Sequence, residues 1–292
     1  MKYSGHESFS IRKDWLAKGI RKFDAFKKDE LSAMDELGIG KNMVKSLRYW
    51  LRVTGITDDD PKKKNSFKLS ELGDLINKKD PYTEELGTLW ILQYNLAKNI
   101  DNATSWYFFF NEFDLSEFNA QDYYIAIKKW DEMNNPKPAS ESSLTKDFDC
   151  IKRTYLHRSA LDDIGKNEDF GPESNMECPF TELGLLEKND KGLYKKSSPS
   201  KQSIPLLIVL AVIIKQAGEQ KEIKLSDLQN QPNSVGKVFN LDTILLISLL
   251  SDLENKGYVK VVRTAGLDVL RITTDLSYLN CIEKYYKDME NE

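Results

Sequence analysis

The chain has 292 residues, 40% of them hydrophobic and 30% charged, with a formal net charge of −4. That length carries two or three compact units with real cores, and the composition excludes global disorder. The net charge excludes a general polycation, so any contact with nucleic acid has to come from a local patch.

Residues 1–80 read as one unit. Ser4 to Glu7 fits a capping box. A short helix is predicted around Trp15, Leu16 and Ile20, and a second over 28–36, with Leu31, Met34 and Leu37 at helical spacing. Gly38-Ile39-Gly40 makes a turn into a third helix over 41–54, with Gly55 as its C′ residue. Along that helix Lys41, Lys45, Arg48 and Arg52 stack on one side, flanked by Asn42 and Tyr49. Val44, Leu47 and Leu51 point away, toward a core. Between residues 10 and 56 there are roughly 11 basic residues against roughly 6 acidic ones, a cationic end on an otherwise acidic chain. Ile56-Thr57, a polar tip over 58–65 and Ser66-Phe67-Lys68-Leu69 predict two short strands laid out as a wing. Lys62, Lys63 and Lys64 sit at its tip, within reach of a phosphate backbone; the acidic residues 58–60 beside them favour a plain solvated turn. A closing helix is predicted over 72–77. Helix, glycine turn, cationic helix and hairpin together predict a winged helix-turn-helix.

Residues 81–160 read as a helical middle, with helices near 88–96, 121–133 and 143–155. Trp106-Tyr107-Phe108-Phe109-Phe110, then Phe113 and Phe118, form a dense aromatic cluster. With little basic interleaving it reads as core; a base-stacking surface is the competing possibility. Lys146, Lys152 and Arg153 suggest a second, weaker basic face. Residues 161–202 are punctuated by glycine and proline and read as a loop-rich connector. Residues 203–292 read as a C-terminal winged-helix-like module: helices near 204–216, 225–229 and 242–256, then a hairpin around Thr264-Ala265-Gly266. Its long helix lacks a cationic stripe and is acidic up to Lys256, which suits packing or protein docking better than DNA.

Two further expectations come from what is sparse. Cys150, Cys178 and Cys281 are widely separated, so a disulfide framework is not expected and a reducing cytoplasm is. No signal peptide is read at the start, and the apolar run 204–214 is about eleven residues, too short to cross a bilayer; a buried helix is expected there and no membrane partner.

The motifs also carry a family likeness. Ser4-Gly5-His6-Glu7-Ser8-Phe9, Arg12, Trp15-Leu16-Ala17-Lys18-Gly19 and Leu37-Gly38-Ile39-Gly40-Lys41-Asn42 resemble the prokaryotic family named domain of unknown function 4007. The likeness continues through Asp80-Pro81-Tyr82, Ala103-Thr104-Ser105-Trp106-Tyr107, Cys178-Pro179-Phe180-Thr181 and Gly236-Lys237-Val238-Phe239, nearly the whole chain. It implies an accessory protein of DNA sulfur modification (phosphorothioation) and phage defence, found beside a sulfurtransferase-like enzyme.

Catalytic chemistry is not evident. His6 and His157 are the only histidines, and neither sits in a metal-ligand spacing. His6 reads as a structural hydrogen-bonding residue, with a phosphate or base contact beside Arg12 as the functional alternative. Cys150 and Cys178 read as buried structural thiols. No P-loop or dinucleotide fingerprint occurs. The expectation is a mainly α protein with small β-hairpin wings. It would bind duplex DNA through Lys41, Asn42, Lys45, Arg48, Tyr49, Arg52, Arg12 and Lys62, Lys63 and Lys64, with no catalytic residues, cofactor or metal. The alternative is a scaffold that docks a sulfurtransferase-like partner through the acidic C-terminal module.

Overall fold

Caps and glycines in the sequence set the opening helices. The computed structural model describes residues 1–60, 66–161, 177–264 and 267–291. It begins with α1 (Trp15–Arg21), α2 (Phe23–Lys28) and α3 (Glu30–Leu37). The Asp29 carboxylate accepts from the Ser32 N–H to start α3, and Gly38, left-handed at φ 65°, ends it. That turn aims α4 (Lys41–Val53), whose inner face is Val44, Leu47, Trp50 and Leu51, all buried. The antiparallel pair β1 (Thr57–Asp59) and β2 (Phe67–Leu69) follows, with Asp58 opposite Lys68. Ser70 caps α5 (Glu71–Lys79) by accepting from the Gly73 N–H. A Cβ at Gly73 would collide with the Ile56 carbonyl oxygen, so the backbones meet there only because the residue is glycine.

Next comes α6 (Leu86–Ala97), buried from Gly87 to its end. A helix apolar on every side belongs in the middle of a core. Then α7 (Thr104–Tyr107) passes into a π-helical turn at Phe108–Glu112. Trp106, Phe108, Phe109, Phe110, Phe113 and Phe118 are all buried. The aromatic cluster is therefore core, and the base-stacking possibility is excluded by burial. The chain continues through β3 (Glu117–Phe118), α8 (Ala120–Asn134), α9 (Glu141–Tyr155), β4 (Leu186–Lys188) and β5 (Tyr194–Lys196). These strands form one antiparallel sheet in the order β3-β5-β4.

The last stretch holds α10 (Leu206–Ala217), β6 (Glu222–Lys224), α11 (Leu225–Asn230), α12 (Val235–Val238) and α13 (Thr243–Asn255). It ends in β7 (Val259–Thr264), β8 (Leu267–Ile272) and α14 (Tyr278–Met289), with sheet order β6-β8-β7. A single apolar core runs through all these regions. Tyr286 Oη lies 2.6 Å from Thr88 Oγ1, and Lys79 Nζ pairs with Glu290 at 2.9 Å. The C-terminal helix is thus sewn to the N-terminal half. No single helix among the described residues is long and apolar enough to cross a membrane.

The chain is mainly helical with small antiparallel sheets, as its patterning implies. The expected helix over 41–54 and the hairpin after it are present. The connector read over 161–202 is less loop-like than its composition suggests. Residues 162–176 lie outside the described residues, as do Ala265 and Gly266 of the C-terminal hairpin, but β4 and β5 are regular strands. Also unanticipated were α2, α12 and α14, and the strands β3 and β6. Strands of two or three residues carry too little alternation to register in sequence.

Two carboxylates fasten the N-terminal segment to the middle of the protein: Asp131 accepts from the Tyr3 hydroxyl at 2.6 Å, and Asp147 gathers three bonds. Asp147, on α9, accepts from the Ser4 N–H at 2.8 Å and from the Ser105 hydroxyl at 2.6 Å, and its Oδ1 lies 2.8 Å from His6 Nε2. His6 is fully buried, stacked on Trp50 (ring centroids 6.2 Å apart) with Trp106 edge-on at 5.8 Å. This removes the phosphate-contact alternative for His6, whose role is the structural one. Burial pushes the His6 pKa down, but the Cys150 sulfur and the Asp147 carboxylate outweigh it and raise it to about 10 from 6.5. Folding therefore takes up a proton here, and the stability it contributes is full below pH 6.5 and lost as pH rises through about 10. Chemical denaturation at stepped pH should show stability falling over that window. His6→Gln should flatten the slope, and Asp147→Ala should cost about 3–5 kcal/mol, the usual penalty for stranding one member of a buried pair.

Candidate nucleic-acid interface

Helix α4 divides into an inner apolar face and an outer polar one, and the outer face holds most of the sequence candidates. Lys41, Asn42, Lys45 and Arg52 are exposed. Among the described residues Lys45 has no ion-pair partner. Lys41 Nζ stands 3.8 Å from Glu30, and Arg52 is paired with Asp59 of β1. The Arg52 pair is open to solvent, where such contacts contribute about 0–1 kcal/mol, and the Lys41 ammonium is itself exposed, at a long 3.8 Å from a partly covered Glu30.

Arg48 and Tyr49 do not belong to this surface. Arg48 folds inward: its Nη2 donates to the Phe26 carbonyl at 3.1 Å, and its guanidinium lies 5.1 Å from the Phe26 ring and 5.6 Å from the Phe67 ring. Burial pulls its pKa down, against the opposing charges of Glu30 and Asp29. It is a cation–π bracket between α4, α2 and the hairpin. Tyr49 is 7% exposed, edge-on to the Trp50 ring at 5.1 Å, with a phenol pKa raised by burial and by the Asp147 and Cys150 charges. Such a ring cannot read a base. The four-three-four spacing was sound as helical geometry, but Arg48 lies at the edge of the stripe nearest Phe26 and Phe67, and those rings and the Phe26 carbonyl take up its guanidinium.

Arg12 is partly buried, its guanidinium 5.1 Å from the Trp15 ring and 5.8 Å from the Phe9 ring. Lys62, Lys63 and Lys64 lie outside the described residues. The second basic face on α9 is not one: Lys152 is buried and pairs with Asp149 at 2.7 Å, while Arg153 donates to the Ser8 carbonyl at 3.0 Å. Lys68, at the exposed centre of β2, adds a cation that sequence analysis passed over. The alternation Phe67-Lys68-Leu69 was enough to place it outward.

All three cysteines are buried, Cys150 and Cys178 as expected, and Cys281 on α14 as well. Burial raises Cys281 to about 12 and Cys178 further, which makes both unreactive. Among the described residues no group of three His, Cys, Asp or Glu side chains is arranged to hold a metal ion.

With this geometry in hand, the chain can be set beside known proteins. It belongs to the family described as protein of unknown function DUF4007, whose family model matches residues 3–286. Among solved structures it is similar to one titled "SspB crystal structure", at TM-score 0.83 and 27% identity, covering 100% of this chain and 89% of that one. It is equally similar to one titled "Magnesium ion-bound SspB crystal structure", at TM-score 0.84 and 26% identity, with the same coverage. No curated protein matches.

The two arginine and lysine classes separate in a stability experiment. Arg48→Ala should lower unfolding free energy by about 1–3 kcal/mol, because it strands the Phe26 carbonyl and uncovers two rings. Lys45→Ala should stay within about 0.5 kcal/mol of wild type in urea denaturation.

Proposed function

We propose that the chain is a DNA-binding accessory protein of a DNA-modification or phage-defence system, with α3, α4, β1, β2 and α5 acting as a winged helix-turn-helix. The observation that carries this reading is the outer face of α4, where Lys41, Lys45 and Arg52 stand exposed along one rod beside Asn42. Cations in that arrangement suit a groove walled by phosphates, and Asn42, in the first turn, is the residue for a base edge. The likeness to DUF4007 and the SspB similarity support the setting in DNA modification. Magnesium is named in one neighbour's title; no ligand set for it is grouped among the described residues here, and this reading rests on side-chain cations alone. The role is that of a binding module and not of an enzyme.

One observation favours the scaffold as a second reading. On α13 the side chains of Ile244 and Ile247 are 83% and 47% exposed, one helical turn apart. An apolar pair left in solvent on a helix with acidic neighbours is a foothold for a partner protein, of which a sulfurtransferase-like enzyme is the candidate.

Duplex binding as a function of salt tests the first reading. Three phosphate contacts, from Lys41, Lys45 and Arg52, give a log–log slope of about −2.7, and Lys45→Glu should remove at least about 0.9 of it. Because the core is continuous, point variants are the right tool; removing 203–292 would expose α6 and unfold the rest. A flat salt response overturns the DNA reading. Loss of partner co-purification in Ile244→Asp, with the salt slope intact, would move the weight to the scaffold.

A further inference from the structure

The hairpin beside α4 carries carboxylates where a DNA-facing wing is expected to carry cations. Asp58, Asp59 and Asp60 follow one another along and just past β1. Strand alternation sends the first two to opposite faces. Asp58 stands opposite Lys68 in the antiparallel register, and Asp59 stands opposite Phe67. Directly opposite residues share a face, so Asp59 lies on the side of Phe67. That ring packs edge-on to Phe23 and Phe26, with centroids 5.5 and 5.6 Å away, and lies 5.6 Å from the Arg48 guanidinium. The packing sets the strand against α4, and from there the Asp59 carboxylate accepts from Arg52 Nη2.

This pair belongs to the surface and not to the core: the two side chains are 43% and 70% exposed. With Lys41 beside Glu30 of α3, two of the three exposed cations of α4 meet carboxylates from the elements on either side. Lys45 alone has no ion-pair partner among the described residues. An exposed ion pair adds little to folding, so stability gives a weak reason for Asp59. Its effect on a ligand is more direct. A phosphate arriving at Arg52 has to displace the carboxylate and then lie beside it, and both steps oppose binding. Lys45 and Arg52 are seven residues apart, about 10 Å along the helix. A small anion therefore finds Lys45 open and Arg52 taken, while a strand long enough to engage both gains from the displacement.

From this arrangement we infer that Asp59 sets the affinity of the α4 surface: it holds Arg52 in competition with phosphate and releases it to a polyanion that spans the helix. The identity of that polyanion as DNA rests on the DNA-binding reading; the hold on Arg52 does not.

Two measurements on the full chain test it. Glu30 also acts on the inward-folded Arg48, which makes Asp59 the cleaner position to change. In duplex binding at low salt, Asp59→Asn should bind about two- to fivefold more tightly than wild type, the range set by one exposed ion pair. The gain should shrink as added salt screens the charges. In an Arg52→Gln background the same substitution should lose most of its effect; an equal gain there would be a general charge effect and would overturn the inference. Equal or weaker binding by Asp59→Asn also overturns it. The second measurement needs no DNA: phenylglyoxal modification of Arg52 in the free protein, followed by mass spectrometry. Arg52 should react at least about twofold faster in Asp59→Asn. An unchanged rate overturns the inference, whatever Lys45→Glu does to DNA binding. If wild type shows no salt-dependent DNA binding, the DNA reading fails and the modification rate alone decides the hold on Arg52.

Discussion

The architecture depends on the buried Asp147 carboxylate. Its bonds to Ser4, His6 and Ser105 bring three separate stretches of chain to one point. The segment they hold is not one that would settle there unaided. Ser4, Glu7 and Ser8 all have positive φ, at 52°, 50° and 68°. Non-glycine residues in that region cost about 1–3 kcal/mol each, so they persist only where surrounding contacts fix them. Gly5 belongs to the same arrangement, since a Cβ there would lie 2.5 Å from the Tyr49 ring.

The consequence reaches the surface through Trp50. His6 stacks on its ring, and its indole N–H donates to the Phe9 carbonyl at 2.9 Å. Trp50 is the centre of the inner face of α4, so the rotation of that helix, and hence which cations reach solvent, is fixed from below. Arg48 fixes it from the side through Phe26 and Phe67. What remains outside is Lys41, Asn42, Lys45 and Arg52. The polar surface is thus a product of buried aromatic packing, and the overall charge of −4 has no bearing on it.

Much of this was legible from sequence where a pattern ran long enough. The thirteen residues of α4 have apolar positions at helical spacing, a glycine turn before and a left-handed glycine after, and they form the expected helix. The aromatic run at 106–110 read correctly as core because few charges interrupt it. Spacing could not reveal which of the four cations on one helix face would bend inward. Arg48 was indistinguishable from Lys45 until Phe26 and Phe67 were brought beside it, and Tyr49 looked like a surface ring until Gly5 and His6 covered it. Local pattern encodes elements and their faces; contacts between distant elements decide which polar groups are spent on structure and which are left for a ligand.

The central claim, that the outer face of α4 meets a polyanion, is tested most directly by the chemical reactivity of its lysines. Acetylation of the native protein, quantified by mass spectrometry with and without saturating duplex DNA, follows each ammonium separately. The account predicts that duplex slows modification of Lys41 and Lys45, while Lys256, beyond the far end of α13, is unaffected. Equal rates at Lys41 and Lys45 in the presence and absence of bound duplex would contradict it.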